Sequence, residues 1–307
     1  MKEKKKEILR KHGYALTGEE SGAKLCHWVR EKLMNGDSCY KEDFYGIDCH
    51  RCLQMSPALN TCNQSCLFCW RYQDYYNKDE LQFDEPEEIV KNSIEAQKEL
   101  VSGFGGEDRC SQKMWEEARD PNQVAISLAG EPTMYPYLDG LIEEYEKRGM
   151  TTFLVTNGTR PDIIEGLDTL PTQLYITLAA PNKNVFEKLC VPRSENLWEK
   201  LNRSLELLSS LNTRTVVRHT LVEGWNIGWE SEYADLLKKA DPDFIEAKGY
   251  VFVGDSRRRM SLDNMPSHET VKGFSEKLSK LIGQDILQEK ERSRVVLLGE
   301  RSSKRKI

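Results

Sequence analysis

The stretch NTCNQSCLFCW (residues 60–70) sets Cys62, Cys66 and Cys69 at C-x3-C-x2-C spacing. Three cysteines fit neither common use of the residue: a structural zinc site takes four ligands and a disulfide takes two. A 4Fe–4S cluster does fit them, because thiolates on three irons leave the fourth iron with open coordination. One tight loop at a strand end can wrap three corners of such a cube. Zinc held by these three with His50 or another cysteine is the competing reading, although structural zinc sites usually carry two well-separated C-x2-C knuckles.

Around this loop the chain reads as α/β. Strand-like apolar runs stand at 124–129 (VAISLA), 152–156, 174–178, 214–221 and 244–252. Amphipathic segments of helical length near 86–101, 137–148, 196–211, 230–240 and 267–282 fall between them. Such alternation predicts βαβ units with parallel strands. A first strand near 54–60, just before the cysteine loop, brings the strands to six. That is too few for a closed eight-stranded barrel, leaving a partial barrel or a doubly wound sheet, and both gather chemistry at the C-terminal strand ends. The fold expected is a partial TIM-like (β/α)6 barrel over residues 54–307, with an N-terminal cysteine-rich extension over 1–53. Residues 103–122 read as an insertion.

Charge is distributed unevenly along the 307 residues. Residues 1–11 hold six basic and two acidic side chains, and residues 290–307 hold seven and two, so a net charge of −6 hides two basic ends. Arg257, Arg258 and Arg259 add a third cationic cluster. A nucleic-acid partner and solvated, partly disordered tails both account for such runs. No run of eighteen apolar residues marks a membrane span, and the first residues lack a secretory apolar core. Nine cysteines without an export signal argue for metal or redox work in the cytoplasm rather than a disulfide scaffold.

The cysteine loop, with Phe68 before its last cysteine, resembles the signature of the radical S-adenosylmethionine superfamily. LAGEPTMYP (128–136) places Gly130, Glu131 and Pro132 after a strand, like that family's GGEP loop. By this resemblance the open iron takes the amino and carboxylate groups of S-adenosylmethionine, the Gly-Glu-Pro loop receives the methionine amine, and Thr156 and Asn157 of TNGT contact the cofactor. An acidic acceptor beside a cationic amine is sound chemistry, and glycine permits close backbone approach. Arg218 and Asn226 are further candidates for that contact.

Cys26, Cys39 and Cys52, separated by twelve intervening residues each time, form a second three-cysteine set. CYKEDFYGIDCHRCLQMSP (39–57) and FVGDSRRRMSLDNMPSHETVKGF (252–274) resemble the archaeal and eukaryotic tRNA 4-demethylwyosine synthases. The resemblance implies two 4Fe–4S clusters, the second on Cys26, Cys39 and Cys52, with Cys49 an alternative to Cys52. It implies a 5′-deoxyadenosyl radical that takes hydrogen from N1-methylguanosine-37 in the anticodon loop of tRNA-Phe. Pyruvate-derived carbons then close the tricyclic base. A ketone can be held by a lysine amine as a Schiff base when the amine is neutral. Lys41, two residues past Cys39, is the first candidate and Lys248, at a strand end, the second. A separate donor such as flavodoxin or ferredoxin is expected to deliver the electron to a monomer.

Two other readings stay open: a different radical enzyme with an accessory cluster, and a non-enzymatic zinc-binding RNA module. Cys110 and Cys190 fall outside any spacing and read as ordinary thiols. His12, His27 and His219 read as structural or surface residues.

Overall fold

The computed structural model describes residues 1, 3–73 and 81–307. Ten strands form a sheet in the order β1-β2-β3-β4-β5-β6-β7-β8-β10-β9. Its centre is six parallel strands: β3 (Cys52–Ser56), β4 (Gln123–Ile126), β5 (Thr151–Thr156), β6 (Gln173–Thr177), β7 (Arg214–Leu221) and β8 (Phe244–Gly249). These are the six strands expected from the apolar runs. The sequence reading missed the antiparallel strands at both edges. The extension supplies β1 (Ala15–Leu16) and β2 (Gly22–Ala23), and the basic C-terminal region supplies β9 (Asp285–Lys290) and β10 (Val295–Gly299). Since β1 and β9 end the sheet and do not pair with each other, the barrel is open.

The helices arise where apolar residues recur at three- and four-residue steps. α1 (Glu3–Lys11), α2 (His27–Leu33) and α3 (Tyr40–Tyr45) belong to the extension. α4 (Pro86–Leu100), α5 (Gln112–Ala118), α6 (Leu138–Glu146), α7 (Pro161–Glu165), α8 (Lys183–Leu189), α9 (Leu197–Leu207), α10 (Glu230–Ala240) and α11 (His268–Ile282) follow. Strand residues of one parity, among them Leu53, Val124, Leu154, Ile176, Val217, Ile245 and Val296, pack with these helices in the main core.

The opposite parity lines the concave face: Phe153, Tyr175, Val216, Phe244, Val295 and Leu297. Against them lie Tyr40, Phe44 and Tyr45 of α3 and the following Ile47. Six residues long, α3 is therefore a plug that fills the barrel from inside, not a surface cap. Its fixation is polar as well as apolar, since Tyr40 and Tyr45 hydroxyls donate to Glu246 of β8 at 2.9 and 2.7 Å. The chain's last residues close over it: Arg214 donates to the Lys304 and Arg305 carbonyls, and the Ile307 amide to the Tyr45 carbonyl.

Among the described residues no helix is long and apolar enough to cross a membrane.

Candidate active site

The C-terminal ends of β3, β4 and β5 bring together the loops singled out from sequence. The Cys62–Cys69 loop is pinned from several sides. Ser65 and Leu67 amides donate to the carbonyls of Val191 and Leu189, and Gln64 bridges to Pro192. Arg259 donates to the carbonyls of Leu67 and Cys69. Burial raises the Cys62 and Cys69 thiols above their ordinary range. Cys66 is raised too, first by its hydrogen bond with the Cys190 thiol and then by burial. Cys190 was read as an ordinary thiol; the fold sets it against the middle cysteine of the loop.

Gly130 meets the cysteine loop backbone to backbone. It takes φ +70°, and a Cβ there would collide with the Ala58 carbonyl, so only glycine fits. The next amide, Glu131, donates to Thr61 at 2.6 Å. The buried Glu131 carboxylate accepts four hydrogen bonds: from the Thr133 amide and hydroxyl, from the Thr156 hydroxyl at 2.6 Å, and from the Asn157 amide at 2.8 Å. Burial still wins over these donors and holds its carboxyl above the usual range. Three of the bonds fall on Oε1 and one on Oε2, which leaves Oε2 able to accept again. Asn157 extends the network to Asn63 at 2.9 Å and to the Cys62 sulfur at 3.9 Å. Thus Gly130, Glu131, Thr156, Asn157 and Cys62 form one contiguous site, and Pro132 opens the short turn that carries Glu131 into it.

Asn226 stands outside that site. Its amide is used up by the carbonyls of Ala179 and Thr220 and by the Val222 amide, so it staples a loop. His219 is buried against the Leu178 carbonyl and the Tyr233 ring, a structural residue as expected.

The second cysteine set lies toward the other mouth. Cys52 opens β3, and four strand steps of about 3.3 Å, roughly 13 Å, separate it from Ser56 at the strand's far end. Cys26 and Cys39 immediately precede α2 and α3. Cys26 lies near enough to both Cys39 and Cys52 for its charge to raise their thiols, after burial, which is the larger cause and takes Cys39 to about 11. All three sulfur-bearing residues are partly exposed, whereas Cys49 is 1 % exposed and packs against Glu42. His50 is paired with Glu117 at 2.9 Å. Among the described residues, no three His, Cys, Asp or Glu side chains gather as a site for a single metal ion. Each set offers three thiols, and a 4Fe–4S cluster can present a separate iron to each of three thiolates.

Lys41 projects from α3 onto the concave face, 4.2 Å over the Phe153 ring and 4.5 Å over Tyr175. Its Nζ has no hydrogen-bond acceptor among the described residues, and burial, then the Arg218 charge, lower its pKa. Lys248 also faces inward, over Tyr40 at 4.7 Å, with burial taking it to about 8, but its Nζ donates to the Ser293 carbonyl at 3.0 Å. Between the lysines runs a pair absent from the sequence reading: Arg218 Nε donates to fully buried Glu246 at 2.8 Å. Arginine and glutamate on one face of adjacent apolar strands were the available signal, since buried charges require partners.

The cationic regions resolve differently from expectation. Arg259 is committed to the cysteine loop and to Asp255, so it is an intramolecular clamp rather than an open phosphate contact. Lys5 is buried and bonds to Asn60, Lys6 pairs with Glu19, and Lys290 pairs with Asp37 and Asp43. Lys5, Lys6 and Lys290 are therefore built into the fold, while Lys4, Lys11 and Lys304 are exposed.

Residues 57–237 match the radical SAM superfamily, and residues 239–300 match a family described as wyosine base formation. The chain is 48 % identical over 304 residues to the S-adenosyl-L-methionine-dependent tRNA 4-demethylwyosine synthase of Pyrococcus abyssi, covering 97 % of this chain and 89 % of that one. A solved structure of TYW1 with a lysine-pyruvate adduct bound superposes with a TM-score of 0.90 at 37 % identity, covering 100 % of this chain and 98 % of the other. A crystal structure of archaeal TYW1 gives 0.83 at 34 % identity, each chain covered in full.

Proposed function

The chain belongs to the tRNA 4-demethylwyosine synthase family of radical S-adenosylmethionine enzymes, and on that premise we propose how its two cysteine triplets divide the reaction. Its class brings S-adenosylmethionine, a 4Fe–4S cluster and a tRNA substrate. When bound, the cluster and S-adenosylmethionine supply one-electron chemistry that protein side chains cannot.

Cys62, Cys66 and Cys69 would hold that cluster, and Glu131, whose Oε2 can still accept, would receive the methionine amine. Thr156 and Asn157 fix the carboxylate and tie it to the cysteine loop. Burial at Cys62 and Cys69, and the Cys190 hydrogen bond followed by burial at Cys66, push these thiols up, so binding iron as thiolates would release protons. Cys26, Cys39 and Cys52 hold a second cluster in the extension (residues 1–53), and the barrel (54–307) carries the first.

Between the triplets, Lys41 holds pyruvate. Its amine adds to the ketone carbon, the C–O bond breaks, water leaves and a C=N bond forms. The observation carrying this reading is an inward-facing amine without a hydrogen-bond acceptor, two residues from Cys39, on rings that disfavour solvation. Support also comes from the structural relative described with a lysine-pyruvate adduct. The product is the tricyclic 4-demethylwyosine base, made from N1-methylguanosine in the anticodon loop of tRNA-Phe. An external one-electron donor serves a monomer.

The RNA-facing surface we assign is a cleft of about 560 Å³ beside the first cysteine loop, lined by His12, Tyr14, Lys24, Trp70, Arg71 and Arg258 among others. Cationic groups interleaved with rings suit a single-stranded loop, whose bases stack while its phosphates are neutralised. Trp70 directly follows Cys69 and is 39 % exposed, with the Arg71 guanidinium on its ring.

Anaerobic turnover with carbon-labelled pyruvate on tRNA bearing N1-methylguanosine tests the reaction. Nucleoside mass spectrometry is expected to find label in the tricyclic base with the native chain and no such base with Lys41→Ala. Full product formation by Lys41→Ala would remove the lysine from the mechanism.

A further inference from the structure

The concave face holds two largely buried cations, Arg218 and Lys248, beside the Lys41 amine and around one carboxylate, Glu246. Lys41 Nζ and the Arg218 guanidinium lie 4.5 and 4.3 Å from the same Tyr175 ring. Lys248 Nζ lies 4.7 Å over Tyr40, whose hydroxyl accepts from Arg218 at 2.8 Å. Two tyrosine rings thus connect these three side chains in one space. Among the described residues, the carboxylate bonded into this network is Glu246, and its oxygens are already engaged by Tyr40, Tyr45 and Arg218. Both cations keep hydrogen-bond donors that this carboxylate does not take, and a buried charged donor is stabilised when an anion accepts from it.

The two outer cations are suited to the task. Arg218 has Nε held by Glu246 and one terminal nitrogen held by Tyr40, which fixes the plane of the guanidinium. Its other terminal nitrogen makes no hydrogen bond among the described residues. Lys248 donates once, to the Ser293 carbonyl, and an ammonium has three hydrogens to give. Forming an imine on Lys41 consumes the ketone and leaves the carboxylate of the keto acid intact, with its charge unanswered.

We propose that Arg218 and Lys248 form the carboxylate-recognition subsite for the keto acid held at Lys41. Lys248 is then a binding cation and not the imine-forming amine. The inference rests on the assignment of Lys41 above. It also predicts specificity: a 2-oxo acid is accepted, and the equivalent neutral ketone or ester is not.

Borohydride trapping on the anaerobically reconstituted full chain tests it, with pyruvate and its neutral methyl ester as probes and peptide mass mapping as readout. The native chain is expected to trap pyruvate at Lys41 at far lower concentration than the ester. Lys248→Met and Arg218→Gln should each raise the half-saturating pyruvate concentration by about tenfold to a hundredfold, the usual worth of a lost charge-assisted hydrogen bond. Ester trapping at Lys41 should change little, and Lys248→Arg should restore the preference for pyruvate. Arg218→Gln risks disturbing the Glu246 pair, so Lys248→Met carries the decision. Pyruvate trapped at Lys41 with equal ease in native and Lys248→Met chains would overturn the subsite alone. An adduct mapped to Lys248 would overturn the division of roles between the lysines. No adduct with either probe on the native chain would overturn the Lys41 assignment and the subsite together.

Discussion

At the scale of single residues, Glu131 shows what a motif can and cannot reveal. The Gly-Glu-Pro order after a strand marks the loop, and a Cβ clash at Gly130 explains why glycine leads it. The four donors converging on the carboxylate come from Thr133, Thr156 and Asn157, and only the fold can bring the last two beside Glu131. Glu131→Gln puts an amide donor where a protein donor already points. Leaving one buried donor unsatisfied costs about 1–3 kcal/mol. The variant should therefore melt lower by at least a few degrees and bind S-adenosylmethionine more weakly, measurable by thermal unfolding and by equilibrium dialysis. Unchanged stability and affinity would mean the carboxylate is not the hub of this site. Cys49 teaches the complementary lesson. Its C-x2-C spacing with Cys52 makes the two interchangeable in sequence; in the fold Cys49 is 1 % exposed beside Glu42, while Cys52 is partly exposed.

At the scale of elements, regular amphipathic helices and the six parallel strands were legible because each buries one face against one partner. α3 was not, since its six residues are used nearly all round: Tyr40, Lys41, Phe44 and Tyr45 are buried and leave no polar stripe to mark a period. The run VVLLG (295–299) carries a strand signal inside a stretch whose composition is otherwise strongly basic. The loop at 254–259 shows how an element changes the meaning of a charge. Gly254 at φ +61° lets the turn press on the Trp70 carbonyl, and Arg259 then reaches the Leu67 and Cys69 carbonyls. Arg259→Ala should loosen the cysteine loop and lower both iron retention and 5′-deoxyadenosine formation. Arg257→Ala should leave both near native, because Arg257 is exposed and reaches only the neighbouring Phe252. Equal effects of the two substitutions would contradict the clamp.

At the scale of the molecule, the charge asymmetry was visible in the sequence and its destination was not. Lys6 and Lys290 of the basic ends are spent on Glu19, Asp37 and Asp43, while the cleft beside Cys69 assembles Lys24 next to β2, Arg71 just past the cysteine loop and Arg258 of the 254–259 turn. Lys24→Glu should weaken tRNA binding and flatten its dependence on salt by roughly one unit per lost phosphate contact. A native slope in that variant would move the RNA surface elsewhere, and lost affinity for an acidic electron donor instead would reassign the cleft to it. The proposal of widest reach concerns the whole barrel: the two cysteine triplets at opposite ends of β3 would each carry a cluster of its own. Anaerobic iron and sulfide counting on the native chain, Cys66→Ala and Cys39→Ala tests this most directly. The account predicts that each variant keeps half the native iron, that Cys49→Ala keeps all of it, and that Cys39→Ala still cleaves S-adenosylmethionine while making no tricyclic base. Native iron content in Cys39→Ala, or its complete loss in Cys66→Ala, would contradict two independent clusters.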